Sequence, residues 1–219
     1  MRKLVVLVLS AVLAACGGSN SSSNPGQSPT PLSGKINGHA FTPVETRAMI
    51  VESGPNPCPV PGFGAVWFKA LMLEAATYPG ACGDLTGIPH CTYRPSSQNV
   101  AVLVAALNYN PLQPGEPPLM PGTFPASPSL AAIATGSGWA QTLDVDPASA
   151  WTTSSNVVGT IRIDAIPVSS TARVTGHLAL TFDQGSAVSG DFSAEYCPTT
   201  IFDPCELTTA IVTSGLCGP

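Results

Sequence analysis

The chain has 219 residues with a formal net charge of −5; only 10% are charged and 44% are hydrophobic. No basic patch or stripe is present, which argues against nucleic acid as a partner. Small and polar uncharged residues fill the space that charges usually take, a composition that suits a secreted β-protein better than a cytosolic helical one.

Arg2 and Lys3 precede an apolar run at 4–13 that is broken only by Ser10. Such a run is too short to span a bilayer, which takes roughly 20 residues, and it matches the core of a signal peptide. It ends in Leu13-Ala14-Ala15-Cys16, which resembles the lipobox of bacterial lipoproteins. That resemblance implies cleavage before Cys16 and diacylation of Cys16, the palmitate-type anchor of such proteins. Two or three acyl chains hold a protein on a membrane where one binds only marginally. Gly17 rather than Asp follows the cysteine, which in Gram-negative lipoproteins implies release to the outer membrane. Residues 17–33 contain Gly, Ser, Asn, Pro, Gln and Thr, with Leu32 the one larger apolar residue. They read as a flexible tether spanning about 20–25 Å root-mean-square.

The expected organisation is therefore a signal peptide at 1–15, a lipidated cysteine and tether at 16–33, and one domain at 34–219. Without residues 1–15 the balance is 6 basic against 13 acidic residues, or −7. Six cysteines remain: Cys58, Cys82, Cys91, Cys197, Cys205 and Cys217. An even number behind an export signal predicts three disulfides. Three lie in each half of the domain, so at least one bridge must link the halves. The expectation is one such cross-link, with the first three cysteines paired once among themselves. No Cys-x-x-Cys occurs, which disfavours a thioredoxin-like site and a zinc ribbon.

Asn37-Gly38 between two short apolar-bearing arms predicts a two-residue hairpin. Residues 44–53 predict a strand, and 54–64 a Pro/Gly loop holding Cys58. Residues 65–77 favour a helix by propensity, but the flanking Pro and Gly favour a core strand, and strand is preferred. The Val/Ala/Leu run at 100–107 predicts a buried strand. Prolines 111, 114, 117, 118, 121, 125 and 128 predict a long loop with a turn at Pro121-Gly122. Weaker strands are expected at 130–134 and 141–145. At 157–165, Val157, Ile161, Ile163 and Ala165 alternate with Val158, Thr160, Arg162 and Asp164.

Residues 173–197 carry the clearest signal. Val174, Leu178, Leu180, Phe182, Val188, Phe192, Ala194 and Tyr196 form one face, and Thr175, His177, Thr181, Ser189, Asp191, Ser193 and Glu195 the other. Both arms place apolar residues at even numbers, so paired residues share parity and the loop has an odd length. The loop Asp183-Gln184-Gly185 fits, with Gly185 where φ > 0 is needed. Phe182 then pairs with Ser186, Leu180 with Val188, Leu178 with Gly190 and Gly176 with Phe192. Together with 157–165 this makes a three-strand meander.

Short strands, Gly/Pro turns and no convincing helix predict an all-β, antiparallel β-sandwich stapled by disulfides. The lipobox, the polar tether, Gly34-x-x-Asn37-Gly38-x-x-Phe41, Pro121-Gly122-Thr123-Phe124 and Gly190-x-Phe192-x-Ala194-x-x-Cys197 follow one another in that order. The set resembles a group of lipoproteins of predatory and soil bacteria with no assigned activity. Cys205 and Cys217 extend beyond that pattern.

Chemistry-bearing motifs are sparse. His177 faces Asp191 and Glu195 across the hairpin, which reads as a solvated polar cluster before it reads as a zinc site. Asp144-Val-Asp146 lacks the further ligands of a calcium loop. His39 and His90 stand in no motif, and no nucleophile elbow, zinc-protease or phosphate-loop pattern occurs. Trp67, Trp139 and Trp151 would make a sugar-stacking surface if exposed in a row, but core packing is the commoner use. No catalytic residue, metal ligand or cofactor is assigned. The expected function is a lipid-anchored envelope protein of the outer membrane with a structural or interaction role, held to the membrane by its N-terminal lipid. The alternative is a module that binds a glycan or another surface ligand; a hydrolase ranks third. The sequence leaves the oligomeric state open.

Overall fold

The computed structural model describes residues 30–60, 64–82, 94–110, 112–129, 132–133, 136–148, 151–166, 172–197 and 205, with 60 and 151 described by backbone alone. Residues 1–29, with Cys16 and the expected signal peptide, and His90, Cys91 and Cys217 lie outside these residues. The named elements are all strands. In chain order they are β1 (Ser33–Ile36), β2 (His39–Phe41), β3 (Glu45–Glu52), β4 (Cys58–Val60), β5 (Gly64–Ala76), β6 (Ser97–Asn108), β7 (Gly122–Ser127), β8 (Gly138–Val145), β9 (Trp151–Ser154), β10 (Val157–Ala165), β11 (Arg173–Phe182) and β12 (Ala187–Tyr196).

Two antiparallel runs make up the wall. One has the order β3-β5-β6-β8 and the other β7-β10-β11-β12. Two short parallel contacts join them at the corners. Glu195 and Tyr196 lie beside Arg47 and Ala48, and Ala126 and Ser127 lie beside Gly138 and Trp139. The eight strands thereby close into a barrel. The all-β expectation holds, but the sheet is not an open two-sheet sandwich. Both architectures need the same inside–outside alternation, so alternation does not distinguish them; closure removes the free edges a sandwich would keep.

The interior is filled by side chains. Leu71, Leu73, Val100, Val102 and Val104 from one run meet Ile161, Leu178, Leu180 and Phe192 from the other. Ile36 and Phe41 of the β1–β2 hairpin join the same cluster, both fully buried. Gln98 Nε2 donates to Ile36 O at 3.2 Å, Asn37 N to Ser186 Oγ at 2.9 Å, and Asn37 Nδ2 to Asp144 Oδ2 at 3.2 Å. The hairpin is thus strapped to β6, to β8 and to the β11–β12 turn. A second cluster lies outside the wall of the first run: Met49, Val51, Phe68, Ala70, Met72, Leu103 and Trp139. Strands β5 and β6 are therefore buried on both faces, which explains their continuous apolar runs.

The β11–β12 hairpin has the expected register, with Gly176 opposite Phe192, Leu178 opposite Gly190 and Leu180 opposite Val188. Phe182 N donates to Ser186 O at 2.8 Å. Gly185 has φ 74°, and Gln184 is left-handed as well at 57°. Asn37-Gly38 turns as expected, with φ 50° and 82°. Strands were also expected at 44–53, 65–77, 100–107, 141–145 and 157–165, and β3, β5, β6, β8 and β10 occupy those places. A bulge between Ile163 and Ala165 turns Ala165 outward, against the simple alternation.

Three local expectations are corrected. The proline-rich segment contains β7, with Pro125 paired to Thr160 of β10. β7 meets β8 only through Ala126 and Ser127, so at Pro125 one side of the strand has no ladder for the missing N–H to break. The loop at 54–64 includes β4, which pairs with the start of β5. Ala132 and Ile133 form a helical turn rather than a strand, with Gly136 N bonded to Ile133 O at 3.1 Å. The described fold also begins within the polar stretch: Leu32 is 4% exposed and packs in the interior cluster.

Among the described residues the disulfides are Cys58–Cys205 and Cys82–Cys197. Both join the first three cysteines to the last three, so the single cross-link expected from sequence is wrong. With Cys58 and Cys82 both committed across the chain, no pair remains within the first three. The cause is topological, because β3 and β12 are distant in sequence and adjacent in the wall.

Candidate functional site

Two groups of polar side chains stand out on the outer wall. The first is centred on Asp191 of β12. The pleat points residue 191 outward beside His177 of β11, and Arg162 of β10 stands opposite His177. His177 Nδ1 lies 2.8 Å from Asp191 Oδ1, and Arg162 Nη2 lies 3.8 Å from the same oxygen. Arg162 also holds Asp164, at 2.9 Å from Nε to Oδ1. Asp191 Oδ2 accepts from Thr30 N at 3.0 Å, while the Asp191 backbone bonds Thr30 O at 2.7 Å and Leu32 N at 3.0 Å. The carboxylate therefore clamps the chain where the polar stretch joins the barrel. Its oxygens are engaged by protein donors, which leaves the cluster a structural role.

Glu195, expected beside His177, turns to Arg173 and Arg47 instead. Among the described residues no three His, Cys, Asp or Glu gather as a metal site. His39 Nδ1 and Asp144 Oδ2 are 3.7 Å apart, and Asp144 serves the β1–β2 turn rather than a calcium loop.

The second group crosses the β3–β12 contact. Arg47 pairs with Glu45 on its own strand and with Glu195 on β12, and Glu195 also pairs with Arg173. Glu45 Oε2 accepts from Ala81 N at 3.0 Å and from Gly80 N. Burial alone would push the Glu45 carboxyl up, but these amides and the Arg47 guanidinium outweigh it and hold it below its usual range. Burial likewise works against the charge on Arg47, yet Glu45 and Glu195 together hold it above its usual value. Nearby, Tyr78 Oη donates to Glu74 Oε1 at 3.1 Å, and the Arg94 guanidinium lies 4.4 Å over the Tyr78 ring. Sequence reading missed Arg47 and Glu45, because apart from each other their partners are far away in the chain or on the backbone. The only local signal was a charged pair at i and i+2 on a strand, which shares a face.

Among the described residues the tryptophans form no exposed row. Trp139 is 2% exposed in the outer cluster and Trp67 is half-buried; the Trp151 side chain lies outside the described residues. An open groove of about 630 Å³ runs over β1, β11 and β12, lined by Ser33, Lys35, Thr42, Ala179, Thr181 and Ser189 among others. Its lining offers one cation and small hydroxyls, and no carboxylate. The disulfides are compatible with an extracytoplasmic location. Searches of protein-family models, of curated proteins and of solved structures find no match to this chain.

Proposed function

We propose that the protein is a lipid-anchored component of the bacterial cell envelope, held at the outer membrane through Cys16, with a structural or interaction role. One observation carries this reading: Leu13-Ala14-Ala15-Cys16 sits behind a charged start and an apolar core, and an uncharged stretch leads from it to β1. Two features support a scaffold role. Packed side chains occupy the barrel interior, and the outer polar groups are engaged with one another. Mass spectrometry of the mature N-terminus tests the anchor. A diacylated or triacylated Cys16 is expected at position one, and Cys16→Ser should yield uncleaved precursor or soluble protein. An unmodified first residue other than Cys16 would overturn the proposal.

A further inference from the structure

The barrel wall has two weak places, and they differ in how they are secured. The ladders inside each run are long: β5–β6 and β11–β12 pair along most of their lengths. Each corner has only two residue pairs. At the β7–β8 corner the strands are consecutive in the chain, so the connection at 128–137 keeps them together. At the β3–β12 corner the paired residues Arg47 and Glu195 are 148 positions apart. Here the locks accumulate. Cys197, next in the chain after β12, donates its N–H to Ala48 O at 2.7 Å and is bridged to Cys82. Cys58, on the strand paired with β5, is bridged to Cys205. The pair Arg47–Glu195 crosses the same line. The two bridges thus tie Cys197 and Cys205, both beyond the end of β12 in the chain, to cysteines that flank β5.

We infer that the β3–β12 corner is a redox-gated seam, closed while Cys82–Cys197 and Cys58–Cys205 are oxidised and opened by a dithiol reductant. Each bridge has one fully buried cysteine, Cys197 or Cys58, and one half-buried cysteine, Cys82 or Cys205. The half-buried sulfur is the accessible point of attack. A reductant thiolate attacks Cys82 Sγ, and the Cys197 thiolate leaves. The second thiolate of the reductant then attacks its own sulfur in the mixed disulfide and releases the Cys82 thiolate. Both cysteines take up protons, and the reductant leaves as its disulfide after giving up two electrons. Cys205 reacts in the same way and frees Cys58. Two residue pairs, the Cys197 N–H to Ala48 O bond and one partly exposed ion pair then hold the corner, while the long ladders persist.

Hydrogen exchange on the mature protein, oxidised or reduced with dithiothreitol, tests this. Complete thiol labelling of Cys58, Cys82, Cys197 and Cys205 would confirm reduction. Amides that bond across the seam, Cys197 N to Ala48 O first among them, should exchange at least about tenfold faster after reduction, while those of the β5–β6 ladder change by less than about twofold. Unchanged exchange at the seam in fully reduced protein would overturn the inference, and so would an equal loss of protection in every ladder. The double variant Cys82→Ser/Cys197→Ser, kept oxidised at Cys58–Cys205, should show a smaller rise at the same amides. Failure of that variant to retain protected β5–β6 amides would also count against a local seam.

Discussion

Asp191 and Phe192 are chain neighbours on β12 that face opposite sides of the wall. Phe192 is 6% exposed and lies opposite Gly176, where an added Cβ would stand 2.8 Å from the Phe192 Cζ. Truncation to Ala removes the ring from the interior cluster, and the bare glycine opposite has nothing to fill the cavity. The expected loss is about 3–5 kcal/mol. Alternation alone would make Asp191→Ala nearly neutral, within about 0.5 kcal/mol. The geometry raises that value, because the carboxylate accepts from Thr30 N and meets His177 Nδ1. Both contacts are partly solvated, so their combined loss is about 1 kcal/mol. Urea titration reads the contrast. At a slope of roughly 2 kcal/mol/M, Phe192→Ala should move the midpoint down by about 1.5–2.5 M and Asp191→Ala by about 0.5 M. Equal shifts, or a larger shift for Asp191→Ala, would refute the assignment of inner and outer faces. An unchanged midpoint and slope in Asp191→Ala would refute the clamp on residues 30–32.

Further outcomes follow from single features. Gly185→Val meets no atom within 4 Å but must adopt φ near 74°, so a loss of about 1–3 kcal/mol is expected from backbone strain alone; a neutral urea midpoint would contradict it. Thiol labelling of denatured, unreduced mature protein should find none of the six cysteines free, and two labelled thiols would sink the three-bridge arrangement. The Glu45 carboxyl is held below its usual range, so its contribution to stability is fully present above the unfolded pKa. That contribution is lost as pH falls through the lower folded value, in the window below about pH 4.5. Glu45→Gln should therefore lose stability at pH 7 and narrow its gap to the parent protein near pH 3, as read by urea midpoints at both values.

What was legible in the sequence is what local chemistry determines. Parity fixed the β11–β12 register because a slip of one residue would have turned Leu178, Leu180 and Phe192 to solvent. Gly185 and Asn37-Gly38 announced their turns through the backbone angles they allow. Residues 65–77 were ambiguous for a physical reason: β5 is covered on both faces, so no polar alternation remains to mark it as a strand. Pro125 misled because the rule against proline in a central strand assumes ladders on both sides, and β7 lacks one there. The Asp191 clamp was partly visible, since His177 and Asp191 were placed together. Its third member, Thr30 N, is backbone and leaves no mark in the sequence.

Closure was the part that could not be read. Two antiparallel runs, each with one buried face, satisfy the same pattern whether their corners stay open or bond. The decision rests on four residue pairs, Arg47 with Glu195, Ala48 with Tyr196, Gly138 with Ala126 and Trp139 with Ser127. None of these carries an alternation signal, and the first two join residues nearly 150 positions apart. Bringing such distant residues together costs loop-closure entropy, which a two-pair ladder offsets poorly. The disulfides, with separations of 147 and 115 residues, act on that cost by constraining the unfolded chain, at roughly 2–4 kcal/mol each. The long-range cysteine pairing and the barrel closure are thus two aspects of one constraint. A protein of this sequence that cannot form both bridges should keep the ladders its alternation specifies and lose first the corner that alternation does not.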